Sequence, residues 1–151
     1  MTRCVFCEIL DKKHDAELIV YEDKYVIGLI SLQQKPGNHG HVLVLPRRHV
    51  PHLYDLPNEL HAPLLAEVQQ LARATKAAFA ADGIQLRQNN EAAAGQDVFH
   101  MHVHVVPRFV GDEFDAKKYE RLPLETRREI AGRLKAILSS PHPTAANSLR
   151  S

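Results

Sequence analysis

The chain has almost no net charge, no long apolar run and very little cysteine. Lysine and arginine number 19 against 18 acidic residues, a formal charge of +1, so no basic field exists for a nucleic-acid backbone to bind. No apolar stretch approaches the ~20 residues of a membrane span, and the start MTRCVFCEIL lacks the charged and apolar regions of a secretory signal. A cytoplasmic protein with no nucleic-acid or membrane partner is expected. The two cysteines, Cys4 and Cys7, sit three apart. In a reducing compartment that spacing suggests a metal or redox pair rather than a structural disulfide. Internal repeats and domain boundaries are also missing. At 151 residues, with 44% hydrophobic and 25% charged residues, the chain is the size of one ordinary soluble domain.

What the sequence does have is histidine, ten in all. Three of them fall in FHMHVHVV, where His100, His102 and His104 occupy every second position. A period of two is a strand signal, because successive side chains point to opposite faces. The pattern predicts a strand ending at Pro107, with Phe99, Met101, Val103 and Val105 covering a core and three imidazoles in a row on the other face. One metal ion cannot take all three from an extended strand. Same-face neighbours are roughly 6.6 Å apart and the outer pair about 13 Å, against a Zn–N bond of about 2.1 Å. The three therefore have different jobs. Neutral imidazole is a good nucleophile towards phosphorus when its second nitrogen keeps a proton and is held by an acceptor. A middle histidine flanked by two others suits that plan: the centre attacks, while a neighbour binds phosphate oxygens or protonates the leaving group.

Elsewhere the patterns are simpler. LIVYEDKYVIGLI (Leu18 to Ile30) reads as two strands around a turn near Asp23. HVLVL (His41 to Leu45) is another strand, closed by Pro46. From Asn58 to about Asp82, apolar residues recur at three- and four-residue steps, which predicts a long amphipathic helix stopped by Gly83. IQLRQ (Ile84 to Gln88) is a strand and NNEAAAGQD a loop leading into the histidines. The stretch after Arg108 reads as charged and irregular. A second helix is expected over about Glu125 to Leu138, followed by a loose tail. The order suggests an antiparallel α+β layer fold.

These residues resemble the histidine triad (HIT) family of nucleotide hydrolases and transferases. HMHVHVV fits the pattern His-φ-His-φ-His-φ-φ, with φ apolar, at every position. CVFCEIL resembles the Cys-x-Phe-Cys start of many bacterial members. GHVLVLPRRHV (Gly40 to Val50) is similar to their Gly-His-x-Leu-Val-Ile-Pro-x-x-His segment. NNEAAAGQDVFHMHVHVVPR (Asn89 to Arg108) is similar to their phosphate loop, triad and Pro-Arg. The matches follow the family order from Cys4 to Arg108.

The resemblance implies a single HIT domain over residues 1–138, with a flexible tail over 139–151. It implies a HIT-like fold: an antiparallel sheet of about five strands, a long helix and a C-terminal helix, in a homodimer. It implies a purine nucleotide substrate attacked at the α-phosphorus by His102 to give a covalent nucleotidyl-histidine. His104 would hold the phosphate near the leaving group, and His41 would lie beside the nucleotide. Asn89 and Gln96 would bind phosphate or orient the histidines. His100 would hydrogen-bond within the triad or bind metal. Cys4, Cys7, His49 and His100 match the zinc ligands of zinc-bearing relatives, a closed set that would be structural.

Three positions depart from the family pattern. Asp97 stands where Ser or Thr is common; its carboxylate repels phosphate unless it turns away, and as a nucleotide-site residue it would instead accept a hydrogen bond or contact the leaving group. Glu91 replaces the usual loop glycine. Ser31 takes the place of an Asp that grips the ribose. Val26, Ile30 and Leu32 are candidates for the base pocket and equally for plain core. The family's substrates divide by leaving group into dinucleoside polyphosphates and phosphoramidates. The ending HVVPR and the C-terminal extension resemble the polyphosphate branch more. A nucleotide-binding or zinc-stabilised interaction module with little turnover is the alternative, favoured by Asp97 and Glu91.

Overall fold

The computed structural model describes residues 3–140. In chain order its elements are helix α1 (Val5–Leu10), strands β1 (Ile19–Glu22), β2 (Val26–Ile30), β3 (Gln33–Gln34) and β4 (Val42–Pro46), and helix α2 (His61–Phe79). Strands β5 (Gly83–Arg87), β6 (Val103–Arg108) and β7 (Glu120–Arg121) follow, then helix α3 (Leu124–Ser139). Five strands form one sheet in the order β1-β2-β4-β6-β5, antiparallel at every pairing. Strands β3 and β7 pair separately. The α+β architecture expected from the sequence, with its five-stranded sheet, long helix and C-terminal helix, is the one observed.

The centre of the sheet follows from its residues. VIGLI of β2 and VLVLP of β4 are buried at every position, as strands covered on both faces must be. The β1–β2 turn is made by Asp23, whose carboxylate accepts from the backbone N–H of Tyr25 at 2.7 Å and of Val26 at 2.8 Å, a local bond that suits Asp to turns. Helix α2 lies across one face with Leu64, Val68 and Leu71 buried. Each such side chain contributes about 1.5–3 kcal/mol when fully buried. The approach is closest at Gly28, where a Cβ would stand 2.5 Å from Leu71 Cδ1. Helix α3 packs on α2 and β1 and buries Ile130, Ala131 and Leu134.

The structure departs from the sequence expectations at five places. Residues 5–10, unassigned by periodicity, form α1, too short for a helical period to show. The long helix stops at Ala80, which takes the left-handed conformation (φ 50°) while Gly83 opens β5. Strand β6 starts at Val103 rather than Phe99, so His100 and His102 precede it and Phe99 is exposed rather than core. Pro46, which would face that segment, has no N–H for a ladder, and its carbonyl is taken by the His100 ring at 2.7 Å. The irregular stretch after Arg108 contains β7. Helix α3 runs one residue past the expected domain end at 138, and residues 141–151 of the expected tail lie outside the described residues. Among the described residues, no helix is long and apolar enough to cross a membrane.

The sheet divides the molecule by strand alternation. Leu86 and Val103 border a groove with Leu64 and Val68 of α2, whereas Leu29, Arg87 and His104 open onto the opposite face, near Val5 and Ile9 of α1. The candidate site is on that second face.

Candidate functional site

The three histidines of the repeat go to three different places. His102 Nδ1–H donates to the carbonyl of His100 at 2.7 Å, which fixes the tautomer and leaves the lone pair on Nε2. Phe6 of α1 packs edge-on against the same ring at 5.1 Å. His104 Nδ1 lies 2.9 Å from His41 Nε2, across the β4–β6 boundary of the sheet. Burial first, then the neighbouring His102 and Arg87, pushes His104 down to about 4. His41 is held well below its ordinary value by burial, with His104 and Arg87 adding to it. Two neutral rings need one proton between them. His41 Nδ1 is buried without a partner among the described residues, and an unpaired buried lone pair is more tolerable than an orphan N–H. The proton is therefore assigned to His41 Nε2, which donates to His104. His104 then keeps its own proton on Nε2, free to meet an anion.

The ring of His100 serves a different cluster. Its Nε2–H donates to Pro46 O, so Nδ1 carries the lone pair, 3.5 Å from Cys4 Sγ and 3.7 Å from Cys7 Sγ. His49 Nδ1 lies 3.4 Å from Cys7 Sγ. The four donor atoms all fall within 4.8 Å of one another. Tetrahedral ligands around zinc, at bond lengths near 2.3 Å to sulfur and 2.1 Å to nitrogen, are about 3.4–3.8 Å apart. The contacts of 3.4 to 3.7 Å in the cluster match that spacing. Burial and the adjacent Cys4 push the Cys7 thiol up to about 11, so the Cys7 thiolate needs a cation beside it to form. Burial brings His100 down to about 4 and keeps it neutral, as a ligand must be. The cluster fits a metal ion of the Cys2His2 class.

A cavity of about 430 Å³ opens over His41 and His104, within the range of small-molecule sites. Asn89, Asp97 and Ser31 line it as well. The Ser31 hydroxyl is partly spent, donating to Gln33 O at 2.8 Å. The apolar wall comes from Val5 and Ile9 of α1 with Leu18, Leu29 and Leu32. Leu32 was the one base-pocket candidate to reach it; Val26 and Ile30 are fully buried core. The Gln96 amide faces the loop rather than the cavity. Its Oε1 accepts from Glu91 N–H at 2.6 Å, and its Nε2 donates to Pro51 O and Val98 O at 2.7 and 3.1 Å. Glu91 keeps a glycine-like backbone (φ 71°, ψ 160°). Asp97 does not turn away: its Oδ1 is 3.8 Å from His102 Nε2.

Sequence reasoning missed four polar residues on the cavity wall, Asp15, Gln33, Arg87 and Tyr119. Arg87 faces His104 in the β5–β6 ladder, a register that no sequence spacing reveals.

Residues 12–111 match the HIT domain. The chain belongs to the HIT family. It is 38% identical over 131 residues to an uncharacterized HIT-like protein of Mycobacterium tuberculosis, covering 87% of this chain and 89% of that one. An adenylylsulfatase of Arabidopsis thaliana is 37% identical over 105 residues, 70% of this chain and 52% of its own length. Among solved structures, a zinc-bound histidine triad family protein from Mycobacterium smegmatis superposes with a TM-score of 0.76 at 38% identity, covering 89% of this chain and 92% of that one. The antiparallel five-stranded sheet and the C-terminal helix match the HIT fold of these solved structures.

Proposed function

We propose that this HIT protein is a nucleotide hydrolase or transferase that acts at the α-phosphate of purine nucleotide derivatives through a covalent nucleotidyl-His102. One observation carries the reading: the His102 tautomer is fixed by the His100 carbonyl, so Nε2 holds its lone pair on the side where Asp97 borders the cavity. That nitrogen attacks phosphorus, an N–P bond forms, and the bond to the leaving group breaks with its electron pair. His104 Nε2–H donates to a phosphate oxygen or the departing atom. Water then displaces His102 from phosphorus, releasing the nucleoside monophosphate and returning the lone pair to Nε2. In this reading the Asn89 amide binds the phosphate and Ser31 takes the ribose side, both from the cavity wall, while Gln96 holds the loop. The adenylylsulfatase among the relatives supports adenylyl chemistry of this kind.

We assign zinc to Cys4, Cys7, His49 and His100 on the match of donor spacing, supported by the zinc-bound relative. Bound there, the ion supplies a structural cross-link and no reacting ligand position. The edge strand β5 and the groove beside α2, about 610 Å³ and bordered by exposed Leu53, Tyr54, Leu65 and Leu86, support a homodimer in which this apolar face is covered by its copy. We further assign residues 1–138 to one functional domain.

The test is AMP release from adenosine 5′-phosphoramidate and diadenosine tetraphosphate by wild type and by His102→Ala, both checked for folding and metal content. Turnover of either substrate that disappears in the variant, with adenylyl-His102 trapped by acid-quenched mass spectrometry, is the expected result. Nucleotide binding with no product from either substrate would replace this reading with that of a binding module.

A further inference from the structure

The mechanism above leaves two charged side chains of the cavity wall without a role: Asp15, which is paired with Arg127 at 3.2 Å, and Arg87. Arg87 stands directly across from His104 in the ladder, and cross-strand partners project from the same face. Its guanidinium is held in place: one terminal N–H donates to the Tyr119 hydroxyl at 2.7 Å, and its charged carbon lies 5.5 Å from the centre of the Phe114 ring. Both Arg87 and Tyr119 line the cavity with His104. Arg87 forms no ion pair among the described residues, in contrast with nearby Arg108, which is clamped by Asp112 at 2.7 Å. Its Nε is buried and has no hydrogen-bond partner among the described residues. A half-buried cation with an unspent donor is costly unless something anionic arrives to meet it. The Tyr119 hydroxyl accepts from Arg87, so its own proton is free to donate to the same anion.

We propose that Arg87 and Tyr119 form a leaving-group site that selects substrates in which the α-phosphorus is bonded to a tetrahedral oxyanion, the end of a phosphate chain or a sulfate, over those bonded to an amine. This rests on the nucleophilic reading of His102. When the His102 Nε2–P bond forms and the P–O bond breaks, the electron pair goes to the bridging oxygen. That oxygen becomes a terminal oxygen of the leaving group, which gains one negative charge. A fixed guanidinium opposes that charge without any proton transfer. An amine leaves differently: its nitrogen takes up a proton as the P–N bond breaks, and it gains nothing from a neighbouring cation. The arrangement thus makes Arg87 a specificity-determining residue, and Tyr119 the residue that positions it.

The experiment compares kcat/KM for three substrates that share the adenylyl group: adenosine 5′-phosphoramidate, adenosine 5′-phosphosulfate and diadenosine tetraphosphate. The proteins are wild type, Arg87→Leu and Arg87→Lys, each matched for thermal midpoint and metal content. The expected result is a ratio of oxyanion-leaving to amine-leaving substrate that falls roughly 10- to 100-fold in Arg87→Leu, the range of a lost charge-assisted hydrogen bond, and partly recovers in Arg87→Lys. The phosphosulfate and tetraphosphate arms show whether the oxyanion is sulfate, phosphate or either. A ratio unchanged by Arg87→Leu, or an equal loss on all three substrates, overturns the proposal. A second measurement separates its failure from that of the hydrolase reading. In the His102→Ala background, ADP is expected to bind at least ~10-fold tighter than AMP, with the preference abolished by Arg87→Leu. If wild type releases AMP from none of the substrates yet this preference depends on Arg87, the oxyanion site stands and the hydrolase reading falls. If the ADP-to-AMP ratio ignores Arg87, the oxyanion site itself is refuted.

Discussion

Asp97 places a carboxylate oxygen 3.8 Å from His102 Nε2, in the approach to the nitrogen that the proposed chemistry needs. Its side chain is 80% exposed, and the same oxygen accepts from the N–H of Val98 at 2.9 Å, which holds it beside the nitrogen. Replacing it with serine, the residue common in the family, is expected to tighten AMP binding about 5-fold, which corresponds to roughly 1 kcal/mol of like-charge repulsion in a water-exposed setting. Calorimetric titration of AMP into wild type and Asp97→Ser measures this directly. Weaker binding in the variant would mean that the carboxylate assists the nucleotide rather than hindering it.

Glu91 carries the second departure from the family pattern. Its backbone sits at φ 71°, ψ 160°, a region that glycine enters freely and other residues enter at a cost of about 1–3 kcal/mol. The conformation is held by reciprocal bonds: Gln96 Oε1 accepts from Glu91 N–H, and Gln96 N–H donates to Glu91 O at 3.1 Å. Glu91→Gly is therefore expected to raise stability by on the order of 1 kcal/mol. Gln96→Ala should lower it, by stranding Glu91 N–H and Pro51 O. Urea unfolding with a shared slope reads both; a destabilised Glu91→Gly would contradict the strain account.

Glu67 on α2 is buried near Asp23 of the β1–β2 turn, and its Oε1 has no hydrogen-bond partner among the described residues. Burial, and secondarily the charge of Asp23, pushes its carboxyl up to about 8. In the unfolded chain it titrates as an ordinary carboxylate, so between roughly pH 4.5 and 8 the folded state holds the extra proton. Stability from this group is fully present at the acid end of that window and is lost as pH rises through it. Glu67→Gln should remove the slope and exceed wild type by a few kcal/mol, in order of magnitude, near pH 9. Chemical unfolding across pH 5 to 9 tests the sign, and identical pH profiles for the two proteins would refute it.

Metal removal separates a structural from a catalytic ion. If the Cys4–Cys7–His49–His100 cluster holds zinc as assigned, a strong chelator or Cys7→Ser should lower the thermal midpoint first. AMP release should then fall only as folded protein is lost. Total metal by mass spectrometry, the midpoint and the initial rate are followed together. A rate that vanishes while the midpoint stays constant would place the ion in the chemistry instead.

The sequence disclosed chemistry better than geometry. The alternation of histidines was legible because three identical titratable side chains in register have few structural explanations. The Cys4 and Cys7 spacing was legible because thiols three apart converge. What could not be read was where the alternation ends. Pro46 faces the segment from another strand and cuts the ladder before His102, so Phe99 is exposed although its period assigns it to the core. Gln96 was expected to bind phosphate or orient the histidines, yet its amide bonds backbone groups of Glu91, Val98 and the distant Pro51, a tertiary pairing that no local spacing reveals. Arg87 was invisible as a site residue. Its place in IQLRQ reads as a polar strand position, and only the pairing with His104 gives it meaning.

His100 ties two parts of the molecule together through two different atoms. Its ring joins Cys4 and Cys7 at the head of α1, and its carbonyl holds the His102 ring. The segment that matches the family domain begins only at residue 12, after Val5 and Ile9 have furnished a wall of the cavity and Phe6 has braced His102. A gene trimmed to that matched segment would encode every residue of the triad and still produce a protein with an open-sided pocket and an unbraced nucleophile. For anyone recombining this domain with others, the usable cut lies ahead of Cys4, and the first ten residues travel with the chemistry.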